Sequence, residues 1–197
     1  MSNNIKIAVV GATGAVGEVM LSILAERGHS PANVTALASE RSAGKEVEMG
    51  DARLKAQDLA GFDFSGTDYA LFSAGGSVSE KYAPIAAGAG AIVIDNTSAF
   101  RYNDEIPLVV PEVNPHMLDD IGPGAIIANP NCSTIQMLVA LKPIHDKVVI
   151  TRINVATYQS VSGTGKEAID ELASQTAALL NGKEAQRSVY PKQIAFN

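Results

Sequence analysis

Apolar residues along this chain fall into short runs, and the runs alternate with stretches whose apolar positions recur at helical spacing. The segments IKIAVV (5–10), VTALA (34–38), YALFSA (69–74), AIVID (91–95), LVV (108–110) and AIIA (125–128) predict strands. Helical patterns between many of them predict a parallel sheet covered by helices. The first helix is expected from Ala15 to Arg27, with Val16, Met20, Leu21 and Leu24 at helical spacing before RGHSP ends it. The polar stretch KEVEMGDARLKAQDL (45–59) predicts a small hairpin or an exposed excursion. Beyond Cys132 the pattern changes. A helix runs to His145, then VVITRINVATYQSV (148–161) predicts one long alternating strand, and GKEAIDELASQTAALLNG (165–182) predicts another helix. This is the opening of a second domain with a different sheet. Roughly fifty residues follow Ile150, too few to close that sheet and bury both its faces, so the sequence is expected to be part of a longer enzyme.

The segment VVGATGAVGEVML joins the first strand to the first helix and sets Gly11, Gly14 and Gly17 three residues apart. A strand, a tight glycine turn and a helix N-terminus aim backbone N–H groups and the positive end of the helix at a pyrophosphate. Glycine triplets also occur in purely structural turns. Here a second strand follows about twenty residues later, as a dinucleotide fold of the Rossmann type requires. The fold class is therefore α/β, a doubly wound parallel sheet over residues 1–130. After the second strand, ALASERSAGK offers Ser39, Arg41, Ser42 and Lys45 around the single acid Glu40. A carboxylate at that strand end would favour NAD, whereas Arg41 with Ser39 or Ser42 suits the 2′-phosphate of NADP. A solvated polar loop is the other reading of the same residues.

The balance of 15 Lys and Arg against 21 Asp and Glu gives a net charge of -6, and the pI is near 5.0. No basic stripe can neutralise nucleic-acid phosphates or an anionic membrane, so small molecules are the expected partners. The N-terminus carries no basic and apolar targeting segment, and the apolar runs fall far short of the ~20 residues that span a bilayer, so a cytoplasmic location is expected. No metal site is read from the sequence. SGTGKEA (162–168) contains a Gly-Lys pair, but its glycines are too close and Glu167 follows the lysine. It is not a nucleoside-triphosphate loop, although a helix start can still touch cofactor or phosphate.

The single cysteine, Cys132, stands in NPNCST, between the last strand of the first domain and a helix. A lone cysteine is commonly a small buried core residue. A helix N-terminus, however, stabilises a nearby anion, which is the form of sulfur a nucleophile needs.

Taken together, GATGAVG, ASERSAGK, FSAGG (72–76), IDNTSAFR (94–101), VPEVNP (110–115), NPNCST and YQSVSGTGKEA (158–168) resemble the aspartate-β-semialdehyde dehydrogenase family, in the family's order and almost end to end. The resemblance implies that Cys132 is the nucleophile forming a thioacyl intermediate and that Gln159 orients the substrate beside the sulfur. It implies phosphate binding by Arg101 and Asn131. It also implies NADP contacts from Thr13, Gly14, Ala15, Val16, Arg41, Ser42, Ser162 and Gly163. The reaction implied is NADP-dependent reductive dephosphorylation of aspartyl phosphate to aspartate semialdehyde, in the pathway to lysine, threonine, methionine and isoleucine. Residues 131–197 would then open an α+β catalytic and dimerisation domain, in a homodimer or dimer of dimers. The family's general-base histidine and carboxylate-binding arginine belong to a later part of its chain. His29, His116 and His145 are expected to be structural or solvated, and Arg152 and Arg187 fall in no matching motif. The nearest alternative is N-acetyl-glutamyl-phosphate reductase, which shares the glycine loop and the cysteine. A non-catalytic NADP-binding fragment is the alternative of another class.

Overall fold

Strand β1 (Ile7–Val10) is buried on every residue, as a central strand with helices on both faces must be. In the computed structural model, which describes residues 4–197, it is followed by α1 (Ala15–Glu26), β2 (Val34–Ala38), β3 (Glu46–Met49) and β4 (Ala52–Lys55). Then come β5 (Gln57–Asp58), β6 (Tyr69–Phe72), α2 (Gly76–Gly88), β7 (Ile92–Asp95), β8 (Ile126–Ala128), α3 (Cys132–His145) and α4 (Lys166–Leu180). Six strands form one sheet in the order β5-β2-β1-β6-β7-β8, and every pairing in it is parallel. The chain moves outward from β1 in one direction through β2 and then in the other through β6. The strand order therefore reverses beside β1, and ligands of such sheets bind in the crevice at that switch point.

The two faces of β1 feed two cores, following the strand period of two. Ile7 and Val9 pack with Leu21 and Leu24 of α1 and with Val47 and Met49 of β3. Ala8 and Val10 pack with Phe64, Phe72, Val93 and Ala83 of α2. Phe72 is fully buried and stacks on Phe64 with ring centroids 6.4 Å apart; truncating such a ring to alanine costs about 3–5 kcal/mol. β3 and β4 make the expected hairpin as a separate antiparallel pair, and its buried Val47 and Met49 cover α1.

Two of the expected strands do not form. LVV (108–110) makes only an isolated bridge, Leu108 to Ala128, with Val109 N–H donating to Ala128 O at 3.0 Å. Residues 148–161 form no strand. Their alternation is present, but no neighbouring strand among the described residues offers a ladder of donors and acceptors, and the segment runs exposed, with Val149 at 76% and Val155 at 65% of full exposure. The first helix and the helices after Cys132 and Gly165 form as expected. α3 buries none of its residues fully. α4 is anchored through two buried polar side chains. Glu171 accepts hydrogen bonds from Ser188 N–H and Oγ and from Val189 N–H, and the carboxamide oxygen of Gln175 accepts from the N–H groups of Ile194 and Ala195. The bond from Val189 leads the contacts that hold the Glu171 carboxyl below its usual range.

No helix among the described residues is long and apolar enough to cross a membrane.

Candidate dinucleotide and thiol site

The glycine turn lies at the switch point. Gly11 has φ of +88°, and its N–H and that of Ala12 both donate to Leu37 O of β2, at 2.9 and 3.1 Å. A Cβ at Gly11 would come 3.0 Å from the backbone of Ser73 and Ala74, where the chain leaves β6. A Cβ at Gly17 would sit 2.2 Å from Gly11 O. Each glycine therefore has its own reason: Gly11 for a left-handed turn pressed against the β6 exit, and Gly17 for close contact between α1 and the turn. Gly14 caps α1 with no side chain. The N–H groups of Ala15 and Val16 lie in the first helical turn, where they have no intrahelical partner, so they could donate to an anion. Thr13 is half-buried on the same turn.

Gly17→Ala is expected to lower stability by about 3 kcal/mol, because backbone rather than a flexible side chain stands in the way. Urea unfolding measures it. An unchanged midpoint would mean that the turn can relax.

Beside this turn, the chain leaves β2 through a short 3-10 segment, Glu40–Ser42, which Ser39 caps with backbone alone. The hydroxyl of Ser39 makes no capping bond and is available to donate. Ser42 Oγ accepts from Lys45 Nζ at 3.3 Å. Arg41 is exposed and makes no hydrogen bond or ion pair with any described residue. The loop is pinned behind these side chains: Gly44 N–H donates to Ala56 O and Ala56 N–H donates to Lys45 O, both at 2.8 Å.

Further along the same sheet edge, Arg101 turns back on the ends of β7 and β8. Its Nε donates to Asn129 O at 3.0 Å and its Nη2 to Asn96 O at 3.1 Å. Asn129 Nδ2 donates to Asn96 Oδ1 at 2.6 Å and locks the two strand ends together. Two carbonyls hold one edge of the guanidinium, and its remaining N–H donors are left over for an anion. Three residues past Asn129, Cys132 is the first residue of α3 and is exposed. This removes the buried-core reading of the thiol. Asn131 caps the helix, its Oδ1 accepting from Ser133 N–H at 3.1 Å and from Ser133 Oγ at 2.6 Å. Its Nδ2 makes no bond with a described residue.

The structure thus brings Gly11, Thr13, Gly14, Ala15, Val16 and Gly17 to the end of β1, and Ser39, Arg41 and Ser42 to the adjacent strand end. Arg101, Asn131 and Cys132 gather at the ends of β7 and β8. The other three residues stand apart. Gln159 is exposed on the unpaired extended segment, and Ser162 and Gly163 lie in the 3-10 turn Val161–Thr164 before α4. No hydrogen bond among the described residues ties any of the three to the other groups. Of the histidines, His145 accepts Ile150 N–H on Nδ1 at 3.2 Å, a structural contact. An apolar cavity of about 390 Å³, lined by Leu138, Leu141, His145 and Ile150 among others, shares no residue with the glycine turn or the thiol. No group of three or more metal-ligating side chains occurs among the described residues. Asp95, Asn96, Thr97 and Asn129 were not singled out in the sequence, although three of them lie inside IDNTSAFR; the signal is a polar run directly after a buried strand.

A doubly wound parallel sheet, with a glycine turn and a helix start that no side chain caps at its switch point, defines a dinucleotide-binding domain of the Rossmann type. Residues 6–121 match the semialdehyde dehydrogenase NAD binding domain and residues 141–197 the semialdehyde dehydrogenase dimerisation domain. The chain belongs to the semialdehyde dehydrogenase family. It is 60% identical over 197 residues to an aspartate-semialdehyde dehydrogenase of Legionella pneumophila, a match covering 100% of this chain and 57% of that protein. Aspartate semialdehyde dehydrogenase II of Vibrio cholerae, solved in complex with ASA, superposes with a TM-score of 0.91 at 57% identity, covering 100% of this chain and 58% of that one. A Candida albicans aspartate semialdehyde dehydrogenase solved with NADP has a TM-score of 0.60 at 26% identity, over 74% of this chain and 48% of that one. The chain thus spans a little over half the length of the bacterial relatives it matches.

Proposed function

We propose that this chain carries the cofactor site, the phosphate site and the nucleophile of an NADP-dependent aspartate-semialdehyde dehydrogenase. One observation carries the proposal: an exposed thiol opens a helix three residues beyond Asn129, whose carbonyl accepts from an arginine with spare donors. The relatives named above and the family's substrate class support it.

The glycine turn fits a dinucleotide, since Gly11 and Gly17 let the turn close tightly on its neighbours and its helix start has no side-chain cap and orphaned donors. Thr13 to Val16 would meet the pyrophosphate, with Ser162 and Gly163 contributing from the turn before α4. Arg41, with Ser39 and Ser42, would take the 2′-phosphate and so select NADP over NAD. Bound NADPH would supply hydride.

The remaining chemistry belongs to the chain's own residues. The Cys132 thiolate attacks the acyl carbon of aspartyl phosphate, a carbon–sulfur bond forms, and the carbon–oxygen bond to phosphate breaks. The departing phosphate passes to Arg101 and the Asn131 amide, which hold its charge. Gln159 orients the acyl group beside the sulfur. With hydride so supplied, the Cys132 thiolate would be the leaving group as its carbon–sulfur bond breaks and aspartate semialdehyde is released; the reverse direction would consume aldehyde, phosphate and NADP. We assign residues 1–130 to the NADP domain and 131–197 to the opening of the catalytic and dimerisation domain, in a cytoplasmic homodimer or dimer of dimers.

The test is NADPH formation in the protein that contains this chain. The proposal requires NADPH to appear only when aspartate semialdehyde and inorganic phosphate are both present. Turnover of N-acetylglutamate semialdehyde instead would assign the chain to the neighbouring reductase.

A further inference from the structure

Asp95, the last residue of β7, is fully buried, and no cation among the described residues pairs with it. Its Oδ1 accepts from Ser79 Oγ of α2 at 2.6 Å and from Thr97 N–H at 3.3 Å, and its Oδ2 accepts from Thr97 Oγ1 at 2.7 Å. Stability alone does not explain a carboxyl group here. Hiding it from water is costly, and an apolar side chain of similar size with apolar neighbours would serve a sheet edge as well.

Its partners suggest what it is for. Thr97 Oγ1 also accepts from Ala99 N–H at 3.2 Å, so one hydroxyl fixes the turn from Asp95 to Ala99. The chain leaving that turn delivers Arg101, whose guanidinium returns to Asn96 O, one residue from the carboxyl. Asp95 O accepts Asn129 N–H at 2.8 Å, so the same residue also sets the β8 end that receives Arg101 Nε. On its other side, Ser79 belongs to α2, and the approach to α2 at Ala74 packs on Gly11 of the glycine turn.

We propose that Asp95 is the positioning residue of the Arg101 site: through Thr97 it aims the arginine, and through Ser79 it fixes that turn to the helix bordering the dinucleotide loop. This rests on reading Arg101 as a phosphate ligand, and it adds the group that sets its direction. Specificity for phosphate then depends on a residue that never touches it.

Replacing Asp95 can unfold the sheet edge, so the test uses Thr97, with Thr97→Val removing the hydroxyl at constant shape and Thr97→Ser restoring it. Two quantities are read on the 197-residue chain: exchange of the Arg101 Nε–H proton by ¹⁵N-edited NMR, and affinity for inorganic phosphate from ³¹P line broadening. In Thr97→Val, exchange should quicken about tenfold and phosphate affinity fall about tenfold, while NADP affinity stays within about twofold. Thr97→Ser should return both to the wild-type values. A lower melting temperature with unchanged exchange and phosphate affinity would overturn the proposal, because Asp95 would then only hold the fold together. Arg101→Ala separates the two ideas. If it leaves phosphate affinity intact, the phosphate reading fails, and the exchange measurement still decides whether Asp95 positions the arginine.

Discussion

Cys132→Ser should abolish phosphate-dependent NADPH formation in the protein that contains this chain, with a loss in kcat on the order of 10⁴-fold or more. The hydroxyl is a far poorer nucleophile than a thiolate at neutral pH, and it would occupy the same exposed place at the start of α3. NADP affinity should change by less than about twofold, because the glycine turn lies at the end of β1 and shares no hydrogen bond with the cysteine. Stopped-flow kinetics and an equilibrium titration read the two effects separately. Near-normal turnover in the serine variant would remove the thiol from the mechanism.

The second large effect concerns cofactor choice. Arg41 is exposed and has no partner among the described residues, so it loses no internal contact when it engages a ligand. A guanidinium on a partly exposed phosphate contributes about 1.5–3 kcal/mol, so Arg41→Ala should weaken NADP about ten- to a hundredfold and leave NAD almost unchanged. Because the contact is open to solvent, added salt should narrow the wild-type preference as well. A parallel loss of both dinucleotides would instead give Arg41 a role at the pyrophosphate or in holding the loop.

Much of this architecture was legible in the pattern of apolar runs. Ile7 to Val10, Val34 to Ala38, Tyr69 to Phe72 and Ile92 to Asp95 became strands because each run is short, β-rich and bounded by turn chemistry. The glycine turn was legible because three glycines recur at one spacing between a strand and a helix. Residues 148–161 misled for a definite reason. Alternation describes a chain able to present one face to a core, but a strand also needs a neighbour to pair with, and pairing is not written locally. LVV failed similarly, reduced to one bridge by the short reach of β8. Arg101 was identifiable, but its support was not. Ser79 and Asp95 lie 16 residues apart in the chain, and no periodicity joins a helix hydroxyl to a strand-end carboxyl. Exposure of Cys132 was equally out of reach, since helix-start position alone fits a buried thiol or an open one.

Whether the β1–α1 turn and the β2 loop together form an NADP site is tested, without requiring turnover, by calorimetric titration of NADP and NAD into the 197-residue chain. NADP should bind about ten- to a hundredfold more tightly than NAD, with the difference removed by Arg41→Ala. Equal affinity of the wild-type chain for both dinucleotides, or tighter binding of NAD, would contradict it.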